Sequence, residues 1–246
     1  MKSALSKTIW IMLPIVLFSL ISCGKNDAFY FNRGNDYSKR GQYDEAISDF
    51  TKALELNPRL AEAYINRGID YAREGKFDRA ILDFNKALEL NPRLAEAYYN
   101  RGNTYLMKKQ VDQAISDYTK AIELRPRYAE AYCNRGSAYD DKSQYDEAIS
   151  DFTRALELNP RLADAYNTRG TDYAREGKLD QAILDFNKSL ELNENMAEAY
   201  YNRAAAYCLK KEYEKSWKDV EKAQSLGLAI PPEFLNKLRE ASGRDK

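Results

Sequence analysis

One dozen residues returns at a fixed interval along the chain. NPRLAEAYINRG stands at 57–68, NPRLAEAYYNRG at 91–102, RPRYAEAYCNRG at 125–136 and NPRLADAYNTRG at 159–170. Extending this register gives six units of 34 residues, at 27–60, 61–94, 95–128, 129–162, 163–196 and 197–230. A chain built this way has no single globular core: each short unit must bury its apolar face on its neighbours, so the units stack.

The letters that stay fixed show how a unit packs. The fourth residue is Tyr in all six units (Tyr30 to Tyr200), and so is the eleventh (Tyr37 to Tyr207). The eighth is Gly in five units and Ala204 in the last. The twentieth is Ala except for Ser216, and the twenty-fourth is aromatic except for Val220. Pro58, Pro92, Pro126 and Pro160 close four units. Positions 4, 8 and 11 share one helical face, on which the small residue admits a partner helix. Pro ends the second helix, since it removes a donor and clashes with the preceding turn.

This pattern resembles the tetratricopeptide repeat (TPR) family. The resemblance implies an all-α fold, a right-handed α-solenoid of six TPR helix hairpins, with a concave groove for extended peptides or partner helices. Pro231-Pro232 then opens a C-terminal capping helix at 231–241, with Phe234, Leu235, Leu238 and Ala241 on one side, before a tail at 242–246.

The first residues read as targeting. Lys2 and Lys7 precede an apolar run at 9–21 that is interrupted by Pro14. It is shorter than the ~20 residues a membrane span needs, so 1–22 reads as a signal peptide. Its end, Leu20-Ile21-Ser22-Cys23, resembles a bacterial lipobox, in which Cys23 becomes the lipidated N-terminus and 23–26 a short tether. This implies a membrane-anchored lipoprotein of the cell envelope. Gly24, in place of Asp, implies the periplasmic side of the outer membrane in a Gram-negative host.

Composition excludes several functions. Past the signal peptide, 36 Lys+Arg (38 less Lys2 and Lys7) face 38 Asp+Glu, so nothing draws the chain to nucleic acid. There is no His, hence neither the usual general base nor the usual metal ligand. Nothing marks an enzyme, a metal site or a cofactor. Cys133 and Cys208 lie two units apart, about 20 Å at 8–10 Å per helix layer, and are expected as free thiols.

A longer period runs inside the short one. QYDEAISDFTKALELNPRLAEAY at 42–64 returns as QYDEAISDFTRALELNPRLADAY at 144–166, and the neighbouring segments share this offset of 102 residues. A three-unit block has been duplicated, which suggests two pseudo-equivalent surfaces.

Helical spacing places positions 2, 5, 9 and 12 of the first helix away from the packing face, and the resemblance makes that stripe the groove. The expected groove residues are Phe31, Tyr99, Cys133, Asn167 and Tyr201 at position 5, Asn35, Ile69 and Asn103 at position 9, and Leu106 at position 12. Glu62, Glu96 and Glu130 at position 2 form an acidic edge, or simply complement the helix dipole. Relatives that clamp a carboxylate use basic groups in their third repeat, whereas Glu96 and Asn100 stand there, so that chemistry is rejected. Arg at position 7 and Asp at position 23 recur in every unit, which argues for structural helix-to-helix pairs. Phe29, where every other unit has Ala, leaves an aromatic end suited to membrane or to a second copy of the chain. The expected function is a lipid-anchored scaffold or adaptor that binds proteins in the groove. The alternatives are a pilotin-like assembly factor for an outer-membrane secretin or pilus, and a self-associating structural lipoprotein.

Overall fold

The structure, a computed structural model, describes residues 26–244. The signal peptide, Cys23, Gly24 and the last two residues of the tail lie outside the described residues. Among those described, every regular element is a helix. The chain divides into two compact units, one ending at Leu124 and the other beginning at Arg125. In the first, α1 (26–39) and α2 (Tyr43–Leu56), α3 (Ala61–Arg73) and α4 (Phe77–Leu90), and α5 (Ala95–Met107) and α6 (Val111–Leu124) form three hairpins. In the second, α7 (Ala129–Asp141) and α8 (Tyr145–Leu158), α9 (Ala163–Arg175) and α10 (Leu179–Leu192), and α11 (Ala197–Leu209) and α12 (Tyr213–Ser225) do the same, followed by α13 (Pro232–Ser242). Within each unit every helix packs on the next, so the expected all-α stacking of hairpins is what is found.

Local chemistry sets the helix ends. The link inside each hairpin passes through one residue with positive φ at position 15: Gly41, Gly75 and Gly177, but Lys109, Ser143 and Lys211 in the other three. Only glycine adopts that conformation without steric cost. Four of the second helices, α2, α4, α8 and α10, stop at an Asn whose side-chain oxygen accepts the backbone N–H two residues on, as Asn57 does from Arg59 at 3.2 Å and Asn159 from Arg161 at 3.1 Å. Glu62, Glu96, Glu130, Asp164 and Glu198 lie in the first turns of their helices, where the dipole favours them.

The closed core is the ring at position 24. Phe50, Phe84, Tyr118, Phe152 and Phe186 are all at most 1% exposed. The glycine at position 8 sits against that ring: a Cβ on Gly34, Gly68, Gly102 or Gly170 would lie 2.8 Å from its edge carbon. Where the ring becomes Val220, the glycine becomes Ala204, and both are buried.

The tyrosines at positions 4 and 11, on the expected packing face, are only half-buried. They flank the Arg at position 7, whose guanidinium lies 5.4–6.0 Å from both ring centres in all six repeats. That Arg makes a two-pronged bond to the Asp at position 23, for example Arg101 to Asp117 at 2.7 Å through both nitrogens. The expected helix-to-helix pairs are therefore present throughout. The remaining N–H reaches the preceding repeat, from Arg67 to Thr51 at 2.8 Å and from Arg169 to Thr153 at 2.9 Å. Burial alone would lower the Arg101 pKa, but the bonds from Asp117 outweigh it and hold the charge.

The last hairpin is covered by α13. Leu238 is fully buried, and Phe234 meets Tyr201 edge-on at 5.4 Å. Trp217 donates its indole N–H to Ser242 at 3.1 Å.

Candidate functional site

The first helices of the first unit carry a stripe made of positions 6, 9 and 13. At 100° per residue these fall with position 2 inside about 60° of arc, opposite the 4/8/11 face. Two adjoining cavities open along it. One of about 270 Å³ is lined by Asn35, Ser38, Lys39, Asn66, Ile69 and Arg73. The other, about 210 Å³, is lined by Ile69, Ala72, Arg73, Phe84, Asn100, Asn103, Thr104 and Met107. Ile69 and Arg73 border both.

Polar groups on this stripe are tied to one another and so held in place. Asn66 donates to Asn35 at 2.7 Å, Asn100 to the Glu96 carbonyl at 2.9 Å, and the buried Tyr118 hydroxyl to Asn103 at 2.7 Å. Arg73 lies 5.3 Å above the Tyr43 ring. Beneath it, Asp70 is fully buried and accepts the Ser38 hydroxyl at 2.7 Å. Burial raises the Asp70 pKa above the usual carboxylate range, against the pull of Ser38 and Arg73.

Of the expected groove residues, the structure brings Asn35, Ile69 and Asn103 together at these cavities. At position 5 the structure differs from that expectation in the first unit, where the side chains turn toward the core. Phe31 packs on Phe50 at 5.9 Å and Tyr99 on Tyr118 at 6.0 Å, while Ile65 is 3% exposed. In the second unit Cys133 packs on the cluster around Phe152, Tyr201 meets Phe234, and Asn167 accepts Asn202 at 3.1 Å. The reason is angular: position 5 lies only about 60° from position 8, close enough for its side chain to reach the core ring. Leu106, at position 12, is half-buried, and Glu62, Glu96 and Glu130 are exposed.

Reasoning from sequence missed Asn66 and Asn100 at position 6, and Lys39, Arg73 and Met107 at position 13. A signal was available in the Asn that precedes Arg-Gly in the recurring dozen, Asn32, Asn66, Asn100 and Asn134. The thiols of Cys133 and Cys208 are free. Burial pushes the Cys133 thiol up to about 11, so it is no ready nucleophile at neutral pH.

The second unit carries a different polar cluster at the equivalent place. Asp172 is fully buried, with Asp140 beside it and Arg175 donating to both carboxylates. Burial, then the neighbouring Asp140, pushes the Asp172 carboxyl up to about 7. Among the described residues, no three His, Cys, Asp or Glu gather as a metal site, and no helix is long and apolar enough to cross a membrane.

A model of the tetratricopeptide repeat matches residues 28–60, 95–128, 129–162 and 163–196, and a second TPR model matches 68–109. The chain belongs to the tetratricopeptide repeat family. Among solved structures it resembles YrrB, described as a TPR protein with an unusual peptide-binding site, at 30% identity and a TM-score of 0.66, over 78% of this chain and 96% of that one. It resembles MamA at 31% identity and 0.63, over 71% and 96%. PilF of Pseudomonas aeruginosa superposes with a TM-score of 0.72 over 91% of this chain and 100% of that one; at 19% identity this is likeness of fold. No curated protein matches the chain by sequence.

Proposed function

We propose that this TPR protein is a non-catalytic scaffold of the cell envelope, anchored through lipid on Cys23, that holds an extended segment of a partner protein along the stripe of its first unit. The observation that carries this reading is the pair of adjoining cavities that share Ile69 and Arg73. Fixed amide side chains stand ready for a peptide backbone there, and Ile69, Ala72, Phe84 and Met107 offer apolar surface to a side chain. YrrB, with its peptide-binding site, is a supporting analogy.

The test is a photo-crosslinking amino acid placed at Met107 on the stripe, with Leu82 on α4 as control; both are well exposed, at 59% and 67%. A native envelope protein captured from position 107 and not from 82 supports the reading, and equal capture from both ends it. Cys23→Ser abolishing incorporation of labelled palmitate would establish the anchor. The pilotin-like form of this reading adds one demand, that secretin multimers fail to assemble without the chain. Self-association through the exposed Phe29 end would appear as a mass that rises with concentration and falls in Phe29→Ala.

A further inference from the structure

The duplication provides an internal comparison, because the same scaffold carries different charges at the same place in the two units. In the first unit, Lys39 and Arg73 line one cavity. Arg73 is half exposed, and its contacts there are long, 3.3 Å to the Ser38 hydroxyl and 3.4 Å to Asp70. Ser38 makes the short bond to the same Asp70 oxygen that Arg73 reaches only at 3.4 Å, so the guanidinium is loosely held there. The Tyr43 ring fixes the height of the guanidinium and takes none of its N–H donors.

In the second unit the counterparts of Ser38, Lys39 and Arg73 are Asp140, Asp141 and Arg175. Asp140 binds the Arg175 nitrogen directly, and that nitrogen also reaches Asp172 at 3.2 Å. Arg175 is therefore paired with two carboxylates, and the added group at position 13 is an acid. Two substitutions, at positions 12 and 13, have turned a site with two available cations into one with a neutralised cation and a surplus of acid.

We propose that the groove of the first unit is specific for an extended peptide bearing an acidic side chain, whose carboxylate sits between Lys39 and Arg73 while a neighbouring apolar side chain enters the pocket of Ile69 and Met107. The second unit, on the same scaffold, lacks that specificity. A guanidinium matches a carboxylate in two-pronged geometry, and a lysine adds charge without restricting the approach. This rests on the peptide-binding reading given above.

The test is selection of phage-displayed random octapeptides on the soluble chain from residue 24, followed by fluorescence anisotropy of the most enriched peptide and of its Glu→Gln and Asp→Asn counterpart. Enrichment of Asp and Glu, at least tenfold weaker binding of the amide counterpart, and a similar loss in Ser38→Asp/Lys39→Asp would support the proposal. That double variant copies the second unit's own residues, and Arg73→Gln is a second probe should it melt early. Asp140→Ser/Asp141→Lys together with Thr171→Ile, since the second unit has Thr where Ile69 lines the pocket, should create a second binding equivalent. Enriched peptides without acids, or indifference to the first-unit variants, would overturn the acidic specificity and leave peptide binding standing. If no peptide is enriched, both fall.

Discussion

Gly102 and Tyr118 show how far one residue dictates another in this fold. A methyl at 102 would press on the Tyr118 ring at 2.8 Å, and that ring is wholly enclosed. Gly102→Ala should therefore cost about 1–3 kcal/mol in urea melts. Tyr118→Val beside it should recover much of that loss, since Ala204 and Val220 already coexist in the sixth repeat. Losses that simply add would show the ring is not what excludes the methyl. Asp172 gives a pH signature at the same scale. Its carboxyl is raised to about 7, so between roughly pH 4 and 7 the folded chain holds a proton that the unfolded chain has released. This contribution is full at low pH and lost as pH rises through 7. Asp172→Asn should flatten that part of the stability profile and raise the melting temperature at pH 7.5 relative to wild type. Matching profiles from pH 5 to 7.5 would rule this out.

Helices and turns obey a second set of rules. Lys109, Ser143 and Lys211 occupy the left-handed conformation that Gly41, Gly75 and Gly177 fill in the other hairpins. Each exchange to glycine should stabilise its hairpin by about 1 kcal/mol, because the steric cost of a side chain there disappears. The triple variant should melt several degrees higher by calorimetry, and an unchanged or lower value would show that the lysine side chains hold the turns in other ways. The first helices start without a side-chain cap, so their first turns lean on the acid at position 2 and on packing. The Arg–Asp pair at positions 7 and 23 ties the two helices of each hairpin, and the third nitrogen of Arg67, Arg101, Arg169 and Arg203 ties its hairpin to the one before within the same unit.

At the scale of the molecule, a repeat protein must close its ends. The last hairpin does so with α13, which covers Val220, Ala223 and the Cys208 thiol through Leu238 and its neighbours. Ending the chain after Gly227 should cost roughly 2 kcal/mol for each large apolar side chain removed, and the terminal repeat should fray first. Cys208 would then react with a disulfide reagent at low denaturant while Cys133 stays slow. Equal rates for the two thiols would mean that α13 is no cap. Duplication acts at this scale as well: two copies of one block keep most of their packing letters and differ in charge at positions 12 and 13 of their first repeats.

The 34-residue register, the hairpin, the Gly at position 8 and the Arg–Asp ladder were legible because each is a periodic demand of packing, repeated wherever the same contact recurs. Hence the all-α repeat fold was readable from the letters alone. The groove was not fully readable. Variation at position 5 looked like a functional signal, yet Phe31 and Tyr99 are seated on the core ring, where several shapes fit. Constancy at position 6 looked like scaffold, yet Asn66 and Asn100 line the cavities. A helical wheel gives the direction of a side chain to within a few tens of degrees, and at the boundary between core and groove that margin exceeds the difference that matters. Which cation is loosely held and which is paired closely was also beyond the sequence. Arg73 and Arg175 stand in the same context, DYAREGK, and only the fold brings Ser38 to one and Asp140 to the other, from a hairpin more than thirty residues earlier in the chain.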